Sequence, residues 1–184
     1  MNSFFRNQLA NYVEYHRDPR NCTMHVFGII CLFLAAVIPL SAYPVHGFGA
    51  QTSAASIAVL PVLIYWLLLD ATLGMAIIGA AVILLSVALM ILHHTSPAGM
   101  WLITGALIVI GFALQVIGHQ VFERRAPALL DNPSHLLLGP MFVMAKLFIA
   151  LGFRQDLAAI IQRGPPRSGA FYPGERPGES HPHS

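Results

Sequence analysis

The feature that most limits how this chain can fold is a series of apolar runs of a length suited to crossing a lipid bilayer. The runs cover residues 23–40, 54–69, 72–92, 100–118 and 136–153. A helix needs roughly 20 mostly apolar residues to cross the hydrocarbon core. Only 10% of the 184 residues are charged, whereas a soluble domain usually carries about 25%. The sequence therefore predicts an all-α, polytopic membrane helical bundle.

The arginines that flank the runs predict its topology. Arg6, Arg17 and Arg20 precede the first run and Arg124 and Arg125 follow the fourth, while the first and third loops contain no Lys or Arg. Because cytoplasmic segments are enriched in Lys and Arg, we expect about four transmembrane helices with both termini of the bundle in the cytoplasm. The host membrane stays open between a bacterial inner membrane and the endoplasmic reticulum.

The fifth run, which also contains Lys146, does not fit a fifth crossing. A crossing would place Arg154, Arg163 and Arg167 on the external side, against the same rule. We therefore predict a re-entrant or interfacial helix on the cytoplasmic side, which is tolerated where protein covers the irregular backbone. Residues 1–163 are predicted to form the membrane-embedded catalytic domain, and residues 164–184, rich in Pro, Gly, Ser and His, a disordered tail.

Residues 4–17 are predicted to form a short amphipathic helix before the first span. One stripe of this helix carries apolar residues and a histidine at helical spacing: Phe5, Leu9, Tyr12 and His16. Pro19 ends the helix because it lacks the amide hydrogen that a helix interior needs. Asn21 is the predicted N-cap of the first span.

The predicted topology sorts the nine histidines of the chain. Four of them, from four separate segments, fall on the predicted cytoplasmic face: His16, His25, His119 and His135. Any one alone is typical of an interfacial hydrogen-bonding residue, but polar groups at membrane depth are costly and tend to mark function. Because imidazole is a favoured ligand of Fe, Zn and Cu, the four are the candidate metal ligands. His93 and His94, on the opposite face, are interpreted as polar loop residues.

Glu123 follows His119 by four residues, so the two share a face if the helix continues there. Its carboxylate is a candidate to complete the histidine shell or to orient one of the histidines. The alternative is a solvated charge or an ion pair with Arg124 or Arg125.

Two segments resemble the signatures of a known membrane family. The first is residues 12–16, YVEYH, followed by Asn21, His25 and Gly28, and the second is residues 115–129, QVIGHQVFERRAPAL. They resemble the membrane 2-hydroxy fatty acid dioxygenase family, over roughly residues 4–153. The family includes an iron-dependent enzyme that shortens acyl chains by one carbon through α-oxidation.

This resemblance implies a function and its cofactor. It implies Fe(II), molecular oxygen, a 2-hydroxy fatty acid substrate and functional roles for His16, His25 and His119. Tyr12, Glu123 and Arg124 are the candidate catalytic residues. A 2-hydroxy carboxylate can chelate iron through its hydroxyl and carboxylate oxygens, as substrates of non-haem oxygenases do. Arginine can pair with that carboxylate or with anionic lipid head groups.

Other functions are also compatible with the sequence. A di-iron hydroxylase or desaturase is disfavoured, since its HxxxH and HxxHH patterns are missing from the sequence. A metal-, haem- or lipid-binding membrane protein without catalysis is the main alternative. A transporter is disfavoured by the short chain and the lack of an internal repeat. A net charge of +2 gives no indication of nucleic-acid binding, and a homo-oligomer is compatible with the sequence.

Overall fold

The computed structural model describes residues 3–14, 16, 18–47, 50–123 and 135–163. Helices account for most of these residues, and one short antiparallel hairpin interrupts them. The elements are α1 (Ser3–Glu14), α2 (Pro19–Ser41), β1 (Pro44–Gly47), β2 (Ala50–Ser53), α3 (Ala54–Leu69), α4 (Ala71–His94), α5 (Pro97–Ile117), a π-helical segment (Gly118–Glu123), α6 (His135–Ala150) and α7 (Gln155–Arg163). The predicted all-α membrane bundle is confirmed, and the hairpin lies where we predicted an uncharged loop.

In the described part of the chain, three helices are long and apolar enough to cross a membrane. They are α2, α4 and the continuous helix Pro97–Glu123, which have 23, 24 and 27 residues. The second predicted span is α3, whose 16 residues fall short of the roughly 20 that a straight crossing needs. The fifth run forms α6 (His135–Ala150), and α7 (Gln155–Arg163) follows it after a bend of 119°. This bend fits a re-entrant element or a broken span, and its position in the membrane stays a prediction.

The outer surfaces of the long helices are apolar. Leu102, Val109 and Phe112 on α5 and Ile83 on α4 are each more than half exposed. A water-facing helix would carry polar residues on that side. The exposed apolar side chains are therefore suited to contact lipid, as expected for a membrane bundle.

Helices α2 and α5 cross in close contact at a pair of glycines. A Cβ atom built on Gly28 would lie 3.1 Å from the carbonyl oxygen of Gly111, and one built on Gly111 would lie 3.1 Å from the carbonyl oxygen of Gly28. Small residues let membrane helices approach backbone to backbone. This crossing fixes the start of α2 beside the end of α5.

The start of α2 differs from the prediction. Asp18 is the N-cap, since its Oδ1 accepts the backbone N–H of Arg20 at 2.7 Å, and Pro19 occupies the first helical position. Pro is favoured there because it needs no hydrogen-bond acceptor and its φ is already helical. The prediction of Asn21 as the cap was wrong, because Asn21 lies within the helix and its side chain bonds to a distant carboxylate.

The apolar core forms two clusters at opposite ends of the bundle. We call the end that contains His16, His25 and His119 the histidine end, and the end that contains β1 and β2 the hairpin end. The histidine-end cluster includes Phe5, Leu9, Tyr12, Trp66, Leu73, Leu138, Met141, Phe142 and Leu157. The hairpin-end cluster is smaller and is built on Val37, Ile38, Ala55, Ala88 and Met100. The predicted apolar stripe of α1 is therefore buried, and it is buried at the histidine end.

Candidate metal centre

Three histidines from three separate segments meet at the histidine end. His16 follows α1, His25 lies in the second turn of α2, and His119 lies in the π-helical segment after α5. All three are buried, and each offers a ring nitrogen within 4.8 Å of the others. Within the described ranges, no other set of three His, Cys, Asp or Glu side chains meets so closely. The group could hold a metal ion.

The tautomer of His16 follows from its hydrogen bond. Its Nδ1 lies 3.0 Å from the backbone carbonyl oxygen of Tyr12. A carbonyl oxygen only accepts, so Nδ1 must carry the proton and Nε2 keeps the lone pair. The Tyr12 ring also stacks on the imidazole, with ring centres 4.0 Å apart and planes within 5° of parallel. A backbone acceptor that fixes the ring in this way is typical of metal-binding histidines.

His25 and His119 face each other through nitrogen atoms. Their Nε2 atoms are 3.0 Å apart, and one proton can join them. The Nδ1 atom of each ring is buried and has no hydrogen-bond partner among the described residues. Two imidazole nitrogens bonded to one ion at about 2.1 Å would be separated by about 3.0 to 3.4 Å. A cation that accepts lone pairs from facing rings therefore fits the pair.

The segment that carries His119 is a π helix, which is rare and often marks a functional site. Gly118 allows this segment to lie close to α2, because a Cβ atom on residue 118 would overlap the Oδ1 atom of Asn21. The tight approach of the two helices thus brings His119 against the start of α2, where His25 is found.

Glu123 lies at the end of this π-helical segment and joins it to α2. Its Oε1 accepts the backbone N–H of Asp18 at 2.9 Å and the side-chain N–H of Asn21 at 3.1 Å. The carboxylate is not one of the three grouped ligands. Glu123 therefore links the π-helical segment that carries His119 to the start of α2, which carries His25. The catalytic role predicted for Glu123 stays a prediction.

Tyr12 is buried between the stacked His16 ring and Phe142, whose ring centre is 5.1 Å away. Burial raises the pKa of the Tyr12 phenol above its usual value of 10.0, and Cys22 adds to the increase. The phenol therefore keeps its proton at neutral pH. Its predicted catalytic role stays a prediction, but the pKa favours a hydrogen-bond donor over a base.

The remaining predicted site residues are placed only in part. His135 is the first residue of α6, and its side chain lies outside the described atoms. Arg17, Arg124 and Arg125 lie outside the described residues. Arg20 is exposed, and its guanidinium carbon sits 5.8 Å from the centre of the Phe122 ring. The roles predicted for these residues stay predictions.

The histidines at the hairpin end do not form such a site. His46 Nε2 bonds to the side-chain nitrogen of Gln51 at 3.0 Å on the exposed hairpin. His93 and His94 are exposed at the end of α4. Within the described ranges, none of these three histidines belongs to a group of three potential ligands. His93 and His94 were predicted to be polar loop residues, but the structure places them in the last turn of α4.

Two contacts near the site were not predicted from the sequence. Asn21 bonds to Glu123, and Lys146 Nζ lies 2.9 Å from the sulfur of Cys22. The signal for the second was present, since Lys146 is the single lysine of the chain and interrupts an apolar run.

Comparison with known proteins agrees with the resemblance read from the two signatures. The model of the family described as 2-hydroxy-palmitic acid dioxygenase Mpo1-like matches residues 2–151. The protein named 2-hydroxy-palmitic acid dioxygenase MPO1, from Saccharomyces cerevisiae, is 33% identical over 160 residues, which cover 85% of this chain and 87% of that protein. No solved structure matches significantly. A family match over most of the chain and a relative of nearly equal extent show that this chain belongs to the Mpo1-like family.

Proposed function

We propose that this protein is an Fe(II)-dependent dioxygenase that performs α-oxidation of 2-hydroxy fatty acids. The observation that carries the proposal is the meeting of His16, His25 and His119 as a buried group. The yeast relative, named a 2-hydroxy-palmitic acid dioxygenase, supports the class of substrate and the use of oxygen.

The proposed reaction is an oxidative decarboxylation. The bond between C1 and C2 of the acid breaks, C2 is oxidised to a new carboxyl group, and C1 leaves as carbon dioxide. One molecule of oxygen accepts the electrons, so R–CH(OH)–COOH and O₂ give R–COOH, CO₂ and H₂O. The equation balances without 2-oxoglutarate or an external reductant.

His16, His25 and His119 are the residues that would hold the metal. Bound there, Fe(II) supplies redox chemistry with oxygen and coordination positions for the acid, whereas Zn²⁺ has no redox chemistry. We propose His135 as a further ligand, since α6 begins there on the same side of the bundle.

The protein's own groups orient the ligands and exclude water. The Tyr12 carbonyl holds the His16 tautomer, and Glu123 with Asn21 holds the segment that carries His119. The Phe142 ring lies 5.7 Å from the His16 ring and closes the side facing α6. Arg124 is proposed to attract the substrate carboxylate. A fatty acid in the leaflet facing the histidine end, proposed to be cytoplasmic, presents its head group at this depth.

The test is to purify the protein in detergent, measure its metal content, and supply 2-hydroxypalmitate with Fe(II) and oxygen. We expect the acid one carbon shorter and CO₂ in equal amounts, with one O₂ consumed for each. The variant His93→Ala, altered at the hairpin end, should behave as the unmodified protein. Bound metal without product from folded protein would contradict the enzyme and favour a metal-binding protein, and a Soret band would favour haem.

A further inference from the structure

Lys146 is the single lysine of the chain and lies within the apolar helix α6. It is only partly buried. A lysine at membrane depth usually extends its side chain toward the interface, where water and head groups surround the charge. A lysine that instead turns toward the protein is an uncommon arrangement and calls for a partner.

The side chain of Lys146 turns inward, toward the metal-binding group. Its Nζ lies 2.9 Å from the sulfur of Cys22 and 5.0 Å from the centre of the Phe142 ring. Cys22 in turn lies 3.6 Å from the carbonyl oxygen of His16. Because the Phe142 ring is 5.7 Å from the His16 ring, the two ring distances place Nζ within about 11 Å of the His16 imidazole.

The partners of Lys146 do not match its charge. A thiol is a weak hydrogen-bond partner, and an aromatic face attracts a cation only moderately. In the described part of the chain, no carboxylate lies within ion-pair distance of Lys146, and the ion pairs found there are made by Arg154. The ammonium thus lies within about 11 Å of the His16 ring with the capacity to bind an anion, and a carboxylate is a strong partner for it.

We propose that Lys146 binds the carboxylate of the fatty acid and so positions C2 toward the three histidines. This inference rests on the proposed function. The carboxyl carbon is bonded directly to the carbon that carries the hydroxyl in a 2-hydroxy acid, so an anchored carboxylate also fixes the region that the hydroxyl group can reach. Lys146 is therefore a residue that selects acids over neutral lipids of the same chain length.

The kinetic test uses three variants of the full-length protein. Lys146→Met keeps the length and helical preference of the side chain but removes the charge, and Lys146→Arg keeps the charge. We expect the KM for 2-hydroxypalmitate to rise at least about tenfold in Lys146→Met, the size expected from one lost charge-assisted hydrogen bond. Lys146→Arg should stay within about threefold. Leu147→Met, at the neighbouring exposed position, is the matched control and should leave KM unchanged.

A labelling test uses the unmodified protein and needs no turnover. Because no other side chain of the protein is a lysine, an amine-specific reagent followed by peptide mass spectrometry reports on Lys146 directly. Without oxygen, 2-hydroxypalmitate should slow the labelling of Lys146 about tenfold, and its methyl ester should slow it much less. Vesicles of phosphatidylglycerol supply the same negative charge from a lipid head group and should give little protection.

The outcomes separate this inference from the proposed reaction. Turnover with an unchanged KM in Lys146→Met would overturn the role of Lys146 and leave the dioxygenase intact. Equal protection by the ester or by phosphatidylglycerol would also overturn it, the second in favour of a lipid contact. Acid-specific protection without any shortened acid would support the carboxylate site and contradict the reaction. If the free lysine does not react with the reagent, the KM comparison alone decides.

Discussion

The polar groups at the two ends of the bundle differ in how far away in the sequence their hydrogen-bond partners lie. At the hairpin end the partners are neighbours in the sequence. Ser53 Oγ accepts the N–H of Ser56, Ser96 Oγ accepts the N–H of Gly99, and Thr95 donates to a carbonyl four residues earlier. These bonds are local caps, and they form wherever a helix begins or ends.

At the histidine end local bonds also occur, such as that of Asp18 with Arg20, but there they are joined by bonds between partners that are far apart in the sequence. Asn21 bonds to Glu123, Trp66 Nε1 donates to the carbonyl oxygen of Leu137 at 2.7 Å, and Arg154 pairs with Asp70. Each bond joins two helices that only the tertiary fold brings together. Burial makes them necessary, because an unsatisfied polar group away from water is costly.

The contrast gives histidine two different roles in one protein. His93 and His94 end a helix in an exposed position, where imidazole needs no partner beyond solvent or head groups. His16 and His119 are each 2% exposed, and there the ring must be bonded or must bind a ligand. The candidate metal ligands therefore differ from the other described histidines in their burial, since the residue type is the same.

The largest difference between the two ends is expected when a histidine at either end is replaced by alanine. His25→Ala or His119→Ala should lower turnover at least about 100-fold, because loss of a ligand exceeds the 10- to 100-fold effects of groups that only orient ligands. Bound iron, measured by elemental analysis, should fall with turnover. His93→Ala and His94→Ala should change neither. Retained iron in all of these variants would show that the buried group does not hold the metal.

The ion pair at the histidine end should contribute strongly to stability. Arg154 Nη1 and Nη2 bond to the two oxygens of Asp70 at 2.8 and 3.0 Å, and tie the turn between α3 and α4 to the bend before α7. Arg154→Met would remove from the buried Asp70 carboxylate the two hydrogen bonds and the charge that Arg154 supplies. We expect a loss of about 2 kcal/mol, moderated because the arginine is partly exposed. Thermal unfolding in detergent measures it, and Arg20→Met, at an exposed site, is the control.

The same pair predicts a dependence of stability on pH. Burial alone would raise the pKa of Asp70, but hydrogen bonds from Arg154 and the Leu73 amide, with the charge of Arg154, bring it below its usual value. A lowered pKa stabilises the fold above the unfolded value of about 3.9, and this stability is lost as the pH falls through the folded pKa. The melting temperatures of the unmodified protein and Arg154→Met should therefore differ at pH 7 and converge below about pH 4. A constant difference would contradict the assignment.

Variants of Glu123 test whether long-range bonds orient the candidate metal ligands. Glu123→Ala removes the acceptor shared by Asp18 and Asn21 and should lower turnover about tenfold by loosening the segment that carries His119. Glu123→Gln keeps an oxygen acceptor and should lose only about two- to threefold. Equal, near-complete loss in both would instead indicate that the carboxylate itself takes part in the reaction.

The smallest effect is expected between the two ends, at the crossing of α2 and α5. A Cβ atom at Gly111 would lie 2.8 Å from Leu32 Cγ, whereas one at Gly105 on the same helix meets no atom within 4 Å. Gly111→Ala should cost about 1 kcal/mol through overpacking, and Gly105→Ala should be neutral or slightly stabilising. Equal melting temperatures would mean that the helices can separate slightly at no cost.

The amino-acid pattern was enough to predict the class of the fold and the three histidines that the structure groups together. Apolar runs predicted the membrane helices because a bilayer rewards length and hydropathy whatever the neighbouring helix is. The stripe of α1 predicted its buried face, since helical spacing alone decides which residues share a side. His16, His25 and His119 could be assigned to one end of the bundle, because alternating spans fix the end at which each connection lies.

The contacts between these residues could be read only from the three-dimensional structure. The structure shows that Asp18, and not the predicted Asn21, caps α2, and that the side chain of Asn21 donates to Glu123. It also turned Lys146 toward Cys22, although the sequence showed only a lysine in an apolar run. Topology places a residue at a depth and an end, but contact depends on how two helices rotate about their axes. That rotation is set by close packing at sites such as Gly28 and Gly111, through neighbours that are distant in the sequence.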